Sequence, residues 1–167
     1  HKKRSGTSDR RYGATGLRPA WVSSAETERA SLTHYRWNKT EQALFAMAEA
    51  GDASATDDVI LEFVNPATGG SVFSTIACFI QMIRPEIRTS QQRETAHKIF
   101  HVFRGEGKTV IEDQEFEWSE GDFFVIPSMT WHHHENSSND PAFLFSLHDS
   151  PTLKRLGLYR REERETG

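Results

Sequence analysis

Three consecutive histidines, His132-His133-His134, followed by Glu135 and Asn136, form the densest group of metal-binding and proton-handling side chains in the sequence. A neutral imidazole offers one ring lone pair to a divalent cation, and a transition-metal site needs three or four such nitrogen or oxygen donors converging on one point. On an extended strand successive side chains point to opposite faces, so His132 and His134 share one face and His133 takes the other. The run therefore supplies at most two converging imidazoles. His97 and His101 are four residues apart, the spacing of a helical pair, yet Phe100, Val102 and Phe103 around them indicate a strand, so both read as structural or surface residues. The single cysteine, Cys78, excludes an intrachain disulfide and any cysteine-rich zinc module.

The elements that must aim these side chains are mostly strands. Leu, Ile, Val and Phe concentrate between residues 58 and 149. In 71–83, Val72, Ile76, Cys78, Ile80 and Met82 fall on one parity, the period-2 pattern of a half-buried strand. Glu115-Phe116-Glu117-Trp118 alternates after Thr109-Val110-Ile111, with a tight turn expected at Asp113-Gln114. Phe123–Ile126 is a continuous apolar run closed by Pro127, which predicts a strand buried on both faces, and 142–148 supplies another strand. Many short strands with Gly and Pro between them predict an all-β antiparallel sandwich or barrel. Two short helices flank it. One lies in 39–51, with Thr40 as the N-cap candidate, Leu44, Phe45 and Ala48 on one stripe and Gly51 at its end; the other starts at Ser150-Pro151 and stops near Gly157. The organisation that follows is a flexible basic arm (1–18), a linker with one helix (19–57), and a barrel with a C-terminal helix (58–163).

Composition narrows the partners. With 20 Lys+Arg against 24 Asp+Glu and a net charge of -4, the chain presents no global positive field for nucleic acid. No window approaches ~18 uninterrupted apolar residues, so no membrane span is expected. His1-Lys2-Lys3-Arg4 is not followed by an apolar stretch, which argues against a signal peptide and for a cytoplasmic location. A start at His1 rather than Met suggests a piece of something longer. Trp118 and Trp131 read as core and interface anchors, and the acceptor-like triplets at Asn38 and Asn136 as chance.

The run from Gly121 through Pro127 and His132 to Asn136 resembles the second motif of the cupin superfamily, in which a Gly, a Pro-x-Gly, a His and an Asn recur at these spacings; Met129 stands where the motif has its second Gly. The first motif then aligns with its last Gly at Gly105, its leading Gly at Glu86, and its ligand positions at Gln92, Glu94 and Lys98. Both histidines of its His-x-His pair are absent. The stretch Asn65-Pro66-Ala67-Thr68-Gly69-Gly70, with Thr75-Ile76, His101–Gly107 and Leu156–Glu163, is similar to the C-terminal cupin half of the gentisate 1,2-dioxygenase family, which includes salicylate and 1-hydroxy-2-naphthoate dioxygenases. Leu17–Trp21 and the first helix resemble the connection between that family's two cupins.

The resemblance implies a cupin double-stranded β-helix, or jelly-roll barrel, and a divided role. In the family the N-terminal cupin holds the catalytic Fe(II) on three histidines, while the C-terminal cupin often lacks ligands and serves structure and assembly. This chain would be that non-catalytic half of a ring-cleaving dioxygenase, with His132 as the one retained ligand position, no metal or cofactor assigned to it, and no catalytic residue. Gln92, Glu94, His132 and His134 are the cavity candidates, with His132 hydrogen-bonded to Glu94 or Gln92 in a hydrated interior. Two alternatives stay open: a metal-free small-molecule-binding cupin in which Arg84, Gln92 or Glu94 selects the ligand, and a metal cupin with a site rebuilt from Glu94, His132 and His134. The expected partners are an N-terminal catalytic cupin and further copies of the chain. The apolar faces of 72–82 and 143–147 are candidate contact surfaces unless the helix at Leu44 and Phe45 covers them.

Overall fold

Alternation along the central segment becomes two antiparallel sheets in the computed structural model, which describes residues 34–66 and 68–164. The expected basic arm and the 17–21 stretch lie outside the described residues. After α1 (Trp37–Ala50) come β1 (Val59–Phe63), β2 (Ala77–Ile83), β3 (Ile87–Arg88), β4 (Gln91–Glu94), β5 (Lys98–Arg104), β6 (Glu106–Ile111), β7 (Gln114–Ser119), β8 (Phe123–Ile126), β9 (His132–Asn136), β10 (Ala142–His148), α2 (Ser150–Arg155) and β11 (Arg161–Arg164). One sheet runs β1-β2-β10-β5-β8 and the other β11-β4-β9-β6-β7, with β3 also paired to β9. This is the all-β jelly-roll barrel the sequence predicts, with a short helix on each side of it in the chain.

The interior divides along its length. Ile83, Phe100, Val102, Trp118, Ile126, Ala142 and Leu144 pack between the sheets with Phe124 and Ile111 against them. The remaining interior is polar. A second apolar layer lies outside the first sheet, where Leu44 of α1 is fully buried against Val59, Ile80, Met82 and Phe143. Of the one-parity set expected over 71–83, Cys78, Ile80 and Met82 lie on β2 and mark the face beneath α1, while Val72 and Ile76 precede the strand, which starts at Ala77. The opposite parity of β2 turns inward, with Ile83 in the barrel core and Gln81 donating to the Asp57 carbonyl at 2.7 Å.

Three local expectations need correction. β8 is not buried on both faces: Phe123 and Val125 are 70% and 53% exposed, while Phe124 stacks on Phe100 and Ile126 is buried. The outer face of this sheet is covered only where α1 packs on β1, β2 and β10, and aromatic composition cannot reveal which strands that layer leaves bare. The tight turn falls at Glu112 and Asp113, with Glu112 left-handed (φ 51°), one residue before the expected site. Helix α1 begins three residues before Thr40: Arg36 occupies the N-cap, and the Thr40 hydroxyl donates back to the Arg36 carbonyl at 3.3 Å. Gly51 ends the helix in the left-handed conformation as expected (φ 79°).

Four turns fix the register of the whole barrel. The positions that the two motif alignments give to glycine are Glu86, Gly105, Gly121 and Met129, and all four are left-handed, with φ of 59°, 96°, 93° and 59°. An L-residue with a Cβ pays about 1–2 kcal/mol there, which is the physical reason for glycine at such points. At Gly105 a side chain is excluded twice over, because a Cβ would lie 2.8 Å from the Ala142 Cα. Glu86 and Met129 carry the strain instead. We expect Glu86→Gly and Met129→Gly each to raise stability in urea unfolding by up to about 1 kcal/mol, glycine's larger unfolded-state entropy offsetting part of the relief. A loss of stability in both variants would contradict the strain reading.

Candidate functional site

The polar half of the interior is assembled by one cross-strand pairing. β4 and β9 are antiparallel with Gln92 opposite His132, so Gln92, Glu94, His132 and His134 are all buried within the same region of the barrel. Lys98, the first residue of β5 in the facing sheet, is buried there too. Its ammonium forms an ion pair with Glu94 Oε1 in which both side chains are almost fully enclosed, 3% and 4% exposed. Tyr159, in the segment after α2, donates its hydroxyl proton to the second Glu94 oxygen at 2.6 Å.

A second ion pair closes the group. Asp57, just ahead of β1, accepts from Arg161 Nη2 at 2.9 Å and from Gln92 Nε2 at 2.7 Å, while Thr56 Oγ1 also accepts from Arg161 at 2.7 Å. Burial raises the Asp57 pKa, but the Lys98 and Arg161 charges and the bonds from Gln92 and Thr56 outweigh it and hold the carboxyl well below its usual range. Burial pushes Lys98 down to about 8, opposed by Asp57 and reinforced by Arg161, so the amine remains an ammonium at neutral pH. Two cations and two carboxylates thus meet here, with Lys98, Glu94 and Asp57 enclosed and the Arg161 side chain reaching in from the surface.

The histidines complete the site in an unexpected orientation. His132 Nδ1 lies 3.0 Å from the Thr130 carbonyl. A carbonyl only accepts, so Nδ1 carries the proton and Nε2 is a bare lone pair. That Nε2 is buried without a partner, as is Gln92 Oε1. The expected bond from His132 to Glu94 or Gln92 is not made, because Thr130 holds the ring, Asp57 draws the Gln92 amide, and Lys98 and Tyr159 engage Glu94. His134 Nδ1 is 2.8 Å from Thr109 Oγ1, which also accepts the Trp118 indole N–H at 2.9 Å. His133 points to the other face as predicted and meets Glu135 at 2.9 Å. His148, which no motif singled out, lies beside Ser146 and against the Phe79 ring in the same interior. His97 pairs with Asp149, and His101 packs on Phe123, both away from the cluster.

A divalent cation does not fit these residues. At the three ligand positions of the first motif, Gln92 is bound to Asp57, Glu94 is neutralised by Lys98, and Lys98 is itself a cation. Among the described residues no group of three or more His, Cys, Asp or Glu side chains is arranged to hold a metal. Asp57, Arg161 and Tyr159 had no signal in spacing, since Asp57 lies in what the sequence reads as linker and the other two follow the barrel. Arg84, a candidate ligand selector, is instead held by Asp58 through a 2.7 Å ion pair.

Comparison with known proteins gives this geometry a lineage. Residues 79–148 match the family described as a cupin domain. The chain is 36% identical over 132 residues to the 5-aminosalicylate 1,2-dioxygenase of a Comamonas species, a match covering 78% of this chain and 35% of that protein. It is 33% identical over 155 residues to gentisate 1,2 dioxygenase 1 of Aquipseudomonas alcaligenes, covering 93% of this chain and 44% of the relative. The structure of salicylate 1,2-dioxygenase from Pseudoaminobacter salicylatoxidans with gentisate superposes with a TM-score of 0.72 at 25% identity, covering 96% of this chain and 44% of that one. The chain therefore spans less than half the length of each of these three relatives.

The enclosed histidines predict an acid-sensitive fold. Burial, helped by the Lys98 charge and opposed by the Thr130 carbonyl and Asp57, pushes His132 down to about 4 from the ordinary imidazole value of 6.5. Between those values the unfolded chain binds a proton that the folded chain refuses, so stability falls as pH drops from about 6.5 toward 4, by about 3 kcal/mol from this ring. His134 and His148 are lowered by burial as well and act in the same direction. Ring 15N spectra of the folded chain are expected to show His132 as the Nδ1–H tautomer, unchanged from pH 7.5 to pH 5 (roughly the window set by that shift). Titration near the ordinary histidine value would contradict the burial argument.

Proposed function

The chain carries a cupin domain of the gentisate 1,2-dioxygenase family, and from that premise we propose that it is the C-terminal, non-catalytic half of an aromatic ring-cleaving dioxygenase. One observation carries the reading: the interior that would have to hold a metal is occupied by the Lys98–Glu94 ion pair and its Asp57–Arg161 neighbour. Catalytic Fe(II) then belongs to an N-terminal cupin of the longer protein, where it would bind a substrate bearing adjacent hydroxyl and carboxylate groups together with O2. No step of that chemistry is assigned to a residue of this chain. The proposed location is the cytoplasm, which accords with a lone, buried, unpaired Cys78; among the described residues no helix is long and apolar enough to cross a membrane.

The surface supports a structural and assembly role. Beyond the reach of α1, the outer face of the first sheet leaves Ile99, Phe123 and Val125 exposed. Near the start of α1 a groove of about 470 Å³ is lined by Trp37, Phe63, Ile80, Phe103 and Phe145 among others. Contiguous apolar surface of this kind favours burial by a partner. In this reading the partner is the N-terminal cupin or a further copy of the chain.

The activity claim is tested with an oxygen electrode. The purified chain supplied with Fe(II) is expected to consume no O2 above background with gentisate or salicylate. Substrate-dependent O2 uptake that disappears in His132→Ala would overturn the non-catalytic assignment.

A further inference from the structure

The chain after α2 reaches the charged groups of the interior without being packed into the barrel. Across 154–164 every residue is exposed except Tyr159, which is half-buried. β11 is the outermost strand of its sheet, and among the described residues its ladder runs to β4 alone, from Arg161 opposite Glu94 to Arg164 opposite Gln91. Two side chains of the segment nevertheless turn inward. Tyr159 donates to Glu94 at 2.6 Å, and Arg161 donates to Asp57 at 2.9 Å and to Thr56 at 2.7 Å. Thr95, just past β4, fastens the same stretch three times: its N–H donates to the Arg160 carbonyl at 3.0 Å, its hydroxyl donates to the Leu158 carbonyl at 3.1 Å, and its hydroxyl oxygen accepts from the Arg160 N–H at 3.0 Å.

Each carboxylate that the segment reaches keeps a partner of its own in the body of the domain. Glu94 retains Lys98, and Asp57 retains the Gln92 amide and the Thr56 hydroxyl. Opening therefore exchanges one phenol and one guanidinium for water and leaves the apolar core, which contains no residue of the segment, untouched. The pivot is present as well. Gly157 is left-handed (φ 70°) with open space where a Cβ would stand, and α2 just before it is held by the Thr152 hydroxyl on the Thr75 carbonyl at 3.0 Å. A segment with few buried apolar contacts and solvent-exposed backbone bonds opens at lower free energy than the core.

We propose that residues 158–164 form a strap that swings as one unit about Gly157, closed over Glu94 and Asp57 in this structure and opening to admit water to both carboxylates while the barrel stays folded. The strap is a gate to the charged part of the interior, latched by Tyr159 and Arg161. This inference stands apart from the dioxygenase reading, because it concerns how the segment is attached and not turnover.

Residue-resolved amide hydrogen exchange of the natural chain, repeated across urea concentrations below the unfolding transition, reads the opening. The amides of Thr95, Arg160 and the β4–β11 ladder are expected to exchange at least about 100-fold faster than those of β5 and β10, to share one opening equilibrium, and to depend little on urea. The variant Arg93→Cys/Glu162→Cys closes the strap covalently when oxidised, since these residues face each other across the two strands and their side chains already meet at 2.6 Å, while Cys78 is buried. Oxidation is expected to slow the strap amides, and the labelling of Glu94 and Asp57 by a water-soluble carbodiimide, by about tenfold or more relative to the reduced form of the same variant. The proposal is overturned if the strap amides are as protected as those of β5 and β10, which would mean that the segment leaves only on global unfolding. It is equally overturned if protection falls off steadily toward Arg164, the signature of end fraying, or if oxidation changes neither exchange nor labelling. Should the double variant fail to fold, the exchange pattern of the natural chain decides alone.

Discussion

Burying a lysine ammonium is the constraint around which the rest of this domain is organised. Removing such an ion from water costs several kcal/mol even after relaxation, and a partner charge with further hydrogen bonds is needed to offset it. Glu94 supplies the partner, Tyr159 ties down the second carboxylate oxygen, and the Asp57–Arg161 pair places another charge of each sign nearby. These groups come from β4, β5, the residues ahead of β1 and the chain after α2. Segments distant in sequence are thereby tied to one point. The fully exposed β11 has no apolar face to bury, so its attachment depends on its ladder with β4, on Arg161 reaching Asp57, and on Arg164, which with Arg93 packs against the Trp131 ring at 4.1 and 4.7 Å.

That arrangement separates the work of the two halves of the barrel. The apolar half, built around Phe100, Val102 and Leu144, supplies hydrophobic stabilisation and needs no ion. The polar half gains specificity from a closed set of charges, in which removal of any one member leaves its partner stranded. The exposed apolar residues Ile99, Phe123 and Val125 lie elsewhere, on the outer face of the first sheet.

Much of this was legible in the sequence because local backbone requirements leave marks. Positive φ at Glu86, Gly105, Gly121 and Met129 is what the motif spacing records, while the pairing of Gln92 with His132 emerges only from the fold. Parity correctly separated His133 from its two neighbours. Parity could not say which face of β2 was interior, since α1 makes a second apolar layer outside the barrel, nor that β8 was an edge. The site was only half readable. Lys98 was visible as a cation at a ligand position, but its pairing with Glu94 depends on enclosure, and the contributions of Asp57, Arg161 and Tyr159 depend on long-range closure that no local pattern encodes.

The most direct test of the central ion pair is a double-mutant cycle on Lys98→Met and Glu94→Gln, read by urea unfolding at pH 7. Each single change strands a buried charge or a bare donor and is expected to cost about 3–5 kcal/mol. The pair together is expected to cost less than the sum by about 2 kcal/mol or more, the coupling of two groups that depend on each other. Additive losses, with a coupling near zero, would mean that Lys98 and Glu94 are satisfied independently and would contradict the account.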